Sequence, residues 1–233
     1  MIPVKPWLHQ NGLDGRHAMP WFNRLRAVDG AEMSLPKPYY ESDGIVIYHA
    51  DCRDILPHLP KVDLVLTDPP YGVGYSTWDR TVPRPQDWLY WCISSAKTVY
   101  VTPSNGQAIL YPHPSWTMAW FRPGSIQRCR EGTGFSHWEP ILVYGEHVAS
   151  VDAKQIRAIP QPDGVGHPCP KPFELFSWLI NTTEAQMILD PFMGSGTTVH
   201  AAKKLGRRAI GIEIEEKYCA IAVRRLAQEV LPL

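Results

Sequence analysis

The chain has 233 residues, 44% hydrophobic and 20% charged, with 23 basic and 23 acidic side chains and a formal net charge of +0. That length fits one domain with a small appendage, and the neutral balance excludes whole-molecule attraction to a polyanion, so any grip on nucleic acid must come from local basic loops. Five widely spaced cysteines without a CxxC pair argue against a disulfide framework or structural zinc, and no run reaches the roughly 18 apolar residues of a membrane helix, so reduced cytoplasmic thiols, no metal and no membrane contact are expected.

Residues 1–38 mix tryptophan, proline, glycine and basic residues without periodicity and read as an irregular extension. The N-terminus shows no basic-then-apolar signal pattern. From Gly44 the pattern becomes regular. "IVIYH" (45–49) reads as a β-branched strand and "RDILPHL" (53–59) as a broken helical turn. "VDLVLT" (62–67) is apolar nearly throughout, as expected for a parallel strand covered on both faces. "PQDWLYWCISSA" (85–96) has a proline start and helical apolar spacing, and "TVYVTP" (98–103) is the next strand. "SWTMAWF" (115–121) and "EPILVYG" (139–145) read as two antiparallel strands flanking a basic, glycine-rich loop. "KPFELFSWLINTT" (171–183) is a helix, "AQMILD" (185–190) a buried strand, and "GTTVHAAKKLG" (196–206) a helix ending in glycine. "RRAIGIEI" (207–214) is a strand and residues 215–231 form an amphipathic helix. Alternating strands and helices imply a Rossmann-like, doubly wound α/β sheet, which binds ligands at strand carboxyl ends where the strand order reverses.

Two strands end in conspicuous chemistry. After 185–190 comes "DPFMGSGTT" (190–198), in which Gly194 and Gly196 bracket Ser195 between strand and helix. Glycines there let a ligand approach the backbone and leave helix N–H groups open. No lysine follows Gly196, so it is not a P-loop, and GSGTTV breaks the dinucleotide spacing. Glu213 lies at the tip of another strand about 20 residues on, where an acid commonly accepts hydrogen bonds from ribose hydroxyls. The pattern points to an adenosine derivative without a phosphate chain.

After 62–67 comes "DPPYG" (68–72). A nucleobase exocyclic amine is a poor nucleophile because its lone pair is delocalised. A carboxylate and a carbonyl, each accepting one N–H, would free that pair. Asp68 offers the carboxylate and Pro69 the carbonyl. Pro70 keeps Pro69 out of the helical region, and Tyr71 offers a ring for stacking.

Together these residues resemble the S-adenosylmethionine-dependent amino-methyltransferases of DNA, the adenine-N6 and cytosine-N4 family. "DPPY" matches their catalytic motif and "DPFMGSGTT" their cofactor loop. "HPCPKP" (167–172) is similar to the family's HPxxKP element, and "HADCRDIL" (49–56) to the segment whose acid lies near the cofactor's adenine. The catalytic motif precedes the glycine loop, the circularly permuted order of the β class. The resemblance covers residues 39–231. It implies a seven-stranded mixed sheet with one antiparallel strand, and strand 62–67 lying beside 185–190.

Carried over, the resemblance gives Asp68, Pro69, Pro70 and Tyr71 the target amine. Asp190, Pro191, Phe192, Gly194, Ser195, Gly196 and Thr197 would wrap the methionine and ribose, with Asp68 at the same site. Glu213 and Ile214 would bind at the ribose, and Asp51 and Cys52 near the adenine. His167, Lys171 and Pro172 would close over the methionine end. The base must leave the duplex to reach the corner. The family tendency of an acid before Pro-Pro favours adenine over cytosine. RNA or protein-glutamine methylation and a non-catalytic DNA-binding module remain alternatives.

The recognition region is short: loops at about 73–84, 122–137 and 146–166. Arg80, Arg84, Arg122, Arg128, Arg130 and His137 are the candidate DNA contacts from these loops. Double-stranded DNA is the expected partner, in a bacterial or phage-encoded enzyme. With so few basic residues for phosphate contacts, a homodimer is expected to share the grip.

Overall fold

The computed structural model describes residues 35–71, 83–123, 127–128, 135–146, 151–157 and 171–228, with the backbone alone at 127, 128 and 135. Eleven strands run in chain order as β1 (Tyr40–Ser42), β2 (Ile45–His49), β3 (Val62–Thr67), β4 (Ala96–Val101), β5 (Trp116–Phe121), β6 (Gln127–Arg128), β7 (Phe135–Ser136), β8 (Trp138–Gly145), β9 (Ala153–Gln155), β10 (Met187–Asp190) and β11 (Arg208–Glu213). Among the described residues the α-helices are α1 (Cys52–Ile55), α2 (Leu89–Ser95), α3 (Phe173–Asn181), α4 (Thr197–Lys204) and α5 (Glu216–Ala227).

Nine strands form one sheet in the order β1-β2-β11-β10-β3-β4-β8-β5-β9, and β6 and β7 form a separate pair. This corrects the expected seven strands. The additions are the three-residue edge strands β1, antiparallel to β2, and β9, parallel to β5. Neither has enough apolar residues to announce itself in sequence. Strands β2, β11, β10, β3 and β4 are parallel neighbours, and β8 runs antiparallel to both β4 and β5.

The order places β3 beside β10, with Leu64 opposite Ile188 and Val65 opposite Leu189. From β3 the chain next pairs outward to β4, and from β10 outward to β11. The strand order therefore reverses between them, which is where such sheets leave a crevice at their carboxyl ends. At the opposite end Asp63 holds the same two strands in register: its Oδ2 accepts from the N–H groups of Gln186 (3.0 Å) and Met187 (3.1 Å), and its Oδ1 pairs with Lys97 at 2.7 Å.

The helices form because each buries one stripe. In α3 Leu175, Phe176, Leu179 and Ile180 are buried, and in α5 Tyr218, Cys219, Ala222 and Leu226. Both spacings follow the helical repeat and cover the sheet. The expected helix over 85–96 is divided: Pro85–Asp87 is a 3₁₀ turn and α2 starts at Leu89. The break falls at Trp88, whose fully buried ring anchors the junction with φ −141°. The expected extension lies outside the described residues over 1–34, and 35–38 have no regular structure.

Candidate active site

Asp68 follows the last residue of β3. Three polar groups converge on its Oδ1: the Tyr71 hydroxyl, the Thr102 hydroxyl at 2.8 Å, and the Lys171 ammonium at 2.7 Å. Thr102 comes from the end of β4, where its N–H also donates to the Thr67 carbonyl at 3.0 Å. Among the described residues no donor is bonded to Asp68 Oδ2. The Tyr71 hydroxyl also reaches the Thr102 carbonyl (2.7 Å), and its single proton serves one acceptor at a time. Gln107 Nε2 donates to the Tyr71 carbonyl at 2.8 Å and holds the corner's backbone. The Lys171 ammonium lies 4.7 Å from the Tyr71 ring centroid. Pro69 is buried and Pro70 half-buried, so the corner is rigid as well as anchored.

Lys171, expected to close over the methionine end, lies against Asp68, which the same expectation put at the cofactor site. Its ammonium, two residues before α3, sits 2.7 Å from Oδ1 of the proposed catalytic carboxylate. Sequence reasoning also missed Glu139. It is 4% exposed on β8, with Oε2 3.8 Å from Lys171 Nζ and Oε1 3.0 Å from Arg122 Nη1. The available signal was an acid inside the apolar run "WEPILVYG", since a charge there needs a buried partner. That partner is Arg122, whose guanidinium also lies 5.3 Å from the Trp120 ring centroid. Arg122 was expected on the DNA surface. The correction is physical: its side chain is 11% exposed and committed to Glu139.

The glycine loop leaves β10. Asp190 is 2% exposed, and its carboxylate accepts from Thr67 Oγ1 (2.7 Å), Thr198 Oγ1 (2.5 Å) and the Phe192 N–H (3.0 Å). Burial lifts its pKa from 3.8 to about 7 against those three hydrogen bonds. Its side chain therefore ties β3, β10 and α4 together, and only its backbone remains for a ligand. Gly196 caps α4 at φ +82°, and a Cβ there would lie 2.7 Å from the Ala222 Cβ on α5. Ser195 and Thr197 are buried and turned toward α5, where Arg225 Nη1 donates to the Ser195 carbonyl (2.7 Å) and lies 3.1 Å from Ser195 Oγ and 3.4 Å from Thr197 Oγ1. Arg225 was not singled out from sequence. Its clue was its place one turn after Ala222, the residue on which Gly196 packs.

Glu213 ends β11. Its Oε2 accepts from the Gly194 N–H and its Oε1 from the Glu215 N–H, each at 2.8 Å. Burial raises its pKa, opposed by those N–H bonds. Each oxygen keeps a second lone pair for a hydroxyl. Phe192 is half-buried and packs edge-on against Trp88 with centroids 4.9 Å apart. A loop of glycine backbone, a helix start with no side-chain cap and an acceptor at a strand tip fit an adenosyl ligand. Pro191 is buried within the loop, and Ile214 is 56% exposed beyond Glu213, its carbonyl 3.1 Å from His49 Nε2.

Asp51 caps α1, and Arg53 holds both its oxygens: Oδ1 accepts from the Arg53 N–H (2.9 Å) and Nε (2.9 Å) and Oδ2 from Nη2 (2.5 Å), so meeting an adenine amine requires sharing them. The Cys52 thiol is buried and burial pushes its pKa up. Pro172 directly precedes α3 at its cap. His167 lies outside the described residues, as do Arg80, Arg130 and the side chain of Arg128. Arg84 is exposed and pairs with Asp87 through two contacts, 2.9 and 3.0 Å. His137 is exposed, and its carbonyl accepts from the Arg122 N–H at 2.7 Å. Among the described residues no cluster of His, Cys, Asp and Glu could hold a metal ion, and no helix is long and apolar enough to cross a membrane.

A mixed α/β sheet with a glycine loop and an acid–Pro–Pro–Tyr corner side by side at its switch point defines a methyltransferase fold. A family model described as DNA methylase matches residues 138–224. The YubD methylase candidate of Escherichia coli (strain K12) is 30% identical over 76% of this chain and 88% of its own length. The Type II methyltransferase M.ScaI of Streptomyces caespitosus is 27% identical over 86% of this chain and 87% of its own. The crystal structure of the M1.HpyAVI–SAM complex superposes with a TM-score of 0.59 and 26% identity over 78% of this chain and all of that one. The chain belongs to the DNA amino-methyltransferase family that modifies adenine N6 or cytosine N4, consistent with its β class.

Proposed function

We propose that this protein transfers a methyl group from S-adenosylmethionine to the N6 amine of an adenine turned out of double-stranded DNA. The observation that carries the reading is the arrangement at Asp68. Its Oδ1 collects Thr102, Tyr71 and Lys171, which fixes the carboxylate plane and presents Oδ2 to an incoming amine. One N–H of the amine donates to Oδ2 and the other to the Pro69 carbonyl. Both hydrogen bonds strengthen as positive charge grows on nitrogen, which is the condition for lowering a barrier rather than only binding substrate.

Gly194, Phe192 and Glu213 would hold the cofactor, with Glu213 accepting ribose hydroxyls while it keeps the loop on its own N–H bonds. When bound, S-adenosylmethionine supplies an electrophilic methyl group on a positively charged sulfur. Tyr71 orients the base, and its hydroxyl stays pinned at the end of β4. The preference for adenine rests on the acid at position 68 before Pro-Pro. DNA grip is read as shared between two copies, because Arg122 is withdrawn into an ion pair and the chain carries no net charge. Arg84, Arg80, Arg128 and Arg130 are the contacts then available to phosphates.

The deciding experiment is mass spectrometry of nucleosides from DNA incubated with the protein and labelled S-adenosylmethionine. N6-methyladenine is expected. N4-methylcytosine alone overturns the adenine assignment, and label found only in RNA or protein overturns the substrate class.

A further inference from the structure

The Lys171 ammonium stands between two carboxylates. It is 2.7 Å from Asp68 Oδ1 and 3.8 Å from Glu139 Oε2. Glu139 is 4% exposed, and its Oε2 has no hydrogen-bond donor, whereas its Oε1 is held 3.0 Å from Arg122 Nη1. A buried carboxylate oxygen without a donor is costly, so the arrangement favours any movement that supplies one. The nearest movement is a small rotation of the lysine stem toward β8.

The catalytic corner needs that movement. An ammonium against Asp68 competes with the target amine for the carboxylate, and repels the positive charge that grows on the amine nitrogen. We propose that Glu139 is a positioning residue that takes up the Lys171 ammonium when the amine docks on Asp68. Without a base, Lys171 bridges Asp68 and Tyr71 and holds the corner in its working shape. With a base in place, the charge moves to Glu139, whose second oxygen stays clamped by Arg122 and so cannot follow. Among the described residues, the charged groups facing the lysine include Asp68 from the β3 end and Glu139 from β8, and Arg122, just after β5, faces Glu139. The inference rests on the amine-methylating role proposed above.

The test compares full-length wild type, Glu139→Gln, Glu139→Asp and the double variant Glu139→Gln/Lys171→Met, using labelled-methyl transfer to duplex DNA and calorimetry with S-adenosylhomocysteine. Glu139→Gln leaves the lysine on Asp68, so kcat falls about 10–100-fold while KM for DNA and cofactor affinity change less than about twofold. Glu139→Asp keeps the charge and retains most of kcat. The double variant removes the cation that needed a second place, and is several-fold faster than Glu139→Gln alone. A merely structural Glu139 gives the opposite order, because a second buried substitution adds damage. A double variant no faster than Glu139→Gln, or a Glu139→Asp enzyme as slow as Glu139→Gln, overturns the proposal. If Glu139→Gln does not fold, Glu139→Asp is judged against wild type: a kcat within about threefold supports the proposal, and a loss of about tenfold or more overturns it. A wild-type protein with no transfer to DNA overturns the functional reading instead.

Discussion

Asp68 and Asp190 close neighbouring strands of one sheet, and each is followed by a proline, yet their carboxylates have opposite fates. Asp190 is sealed at 2% exposure, with both oxygens held by Thr67, Thr198 and the Phe192 N–H. The Asp68 side chain keeps 23% exposure, and its partners gather on one oxygen. The first is a joint between β3, β10 and α4. The second is a presented acceptor. The same dipeptide therefore carries no fixed role; the donors around it assign one. Donors on both oxygens, from Thr67, Thr198 and a backbone N–H, make a joint, and donors gathered on one oxygen, a lysine among them, leave a site.

The comparison breaks most visibly in activity. Asp68→Ala should lower methyl transfer at least about 1,000-fold while S-adenosylhomocysteine binding persists, because the lost acceptor serves the amine. Substantial residual turnover in a labelled-methyl assay would remove Asp68 from its proposed role. Asp190→Ala should instead cost folding stability, about 2–4 kcal/mol in urea denaturation, because it strands two buried hydroxyls and an N–H. A stable Asp190→Ala protein that has lost activity would equate the two acids and undo the distinction.

The glycine loop sharpens it further. Gly196→Ala adds a Cβ at φ +82° and 2.7 Å from the Ala222 Cβ. The expected loss is about 1–2 kcal/mol of stability with weaker cofactor binding, since the loop must shift off α5. Unchanged stability and affinity would show that α5 does not brace the loop.

The smallest effect is a pH dependence. Burial lifts Asp190 to about 7, so the folded state holds that proton more tightly than the unfolded chain. Its contribution to stability is complete below about 3.8 and is lost as pH rises through about 7. His200 has the opposite sign: burial first, then Arg225, Lys204 and Lys203, lower it from 6.5 to about 4, so its contribution is present above 6.5 and lost as pH falls through about 4. The melting temperature of wild type relative to Asp190→Asn should therefore fall between pH 4 and 8, with the His200 contribution common to both proteins. A constant difference would show that Asp190 does not titrate in that window.

The sequence alone determined the layer architecture, most element positions and the two strand-end motifs. Those follow from local periodicity, glycine and proline, which act over a few residues. It also placed β3 next to β10, because the resemblance carried the strand order with it. What it could not reach were contacts made across strands and between segments far apart in the chain. Glu139 stood unremarked because an acid inside an apolar strand has meaning only once Arg122 and Lys171 are beside it. Arg122 looked like a DNA contact because a basic residue in a glycine-rich loop is solvated by default, and only β5–β8 pairing turns it inward. The direct contact of Lys171 with Asp68, 103 positions away along the chain, is likewise a product of the fold. Asp190 and Asp68 looked alike because a carboxylate's role depends on desolvation and on its donors. Both are properties of the folded surroundings, which only the tertiary structure supplies.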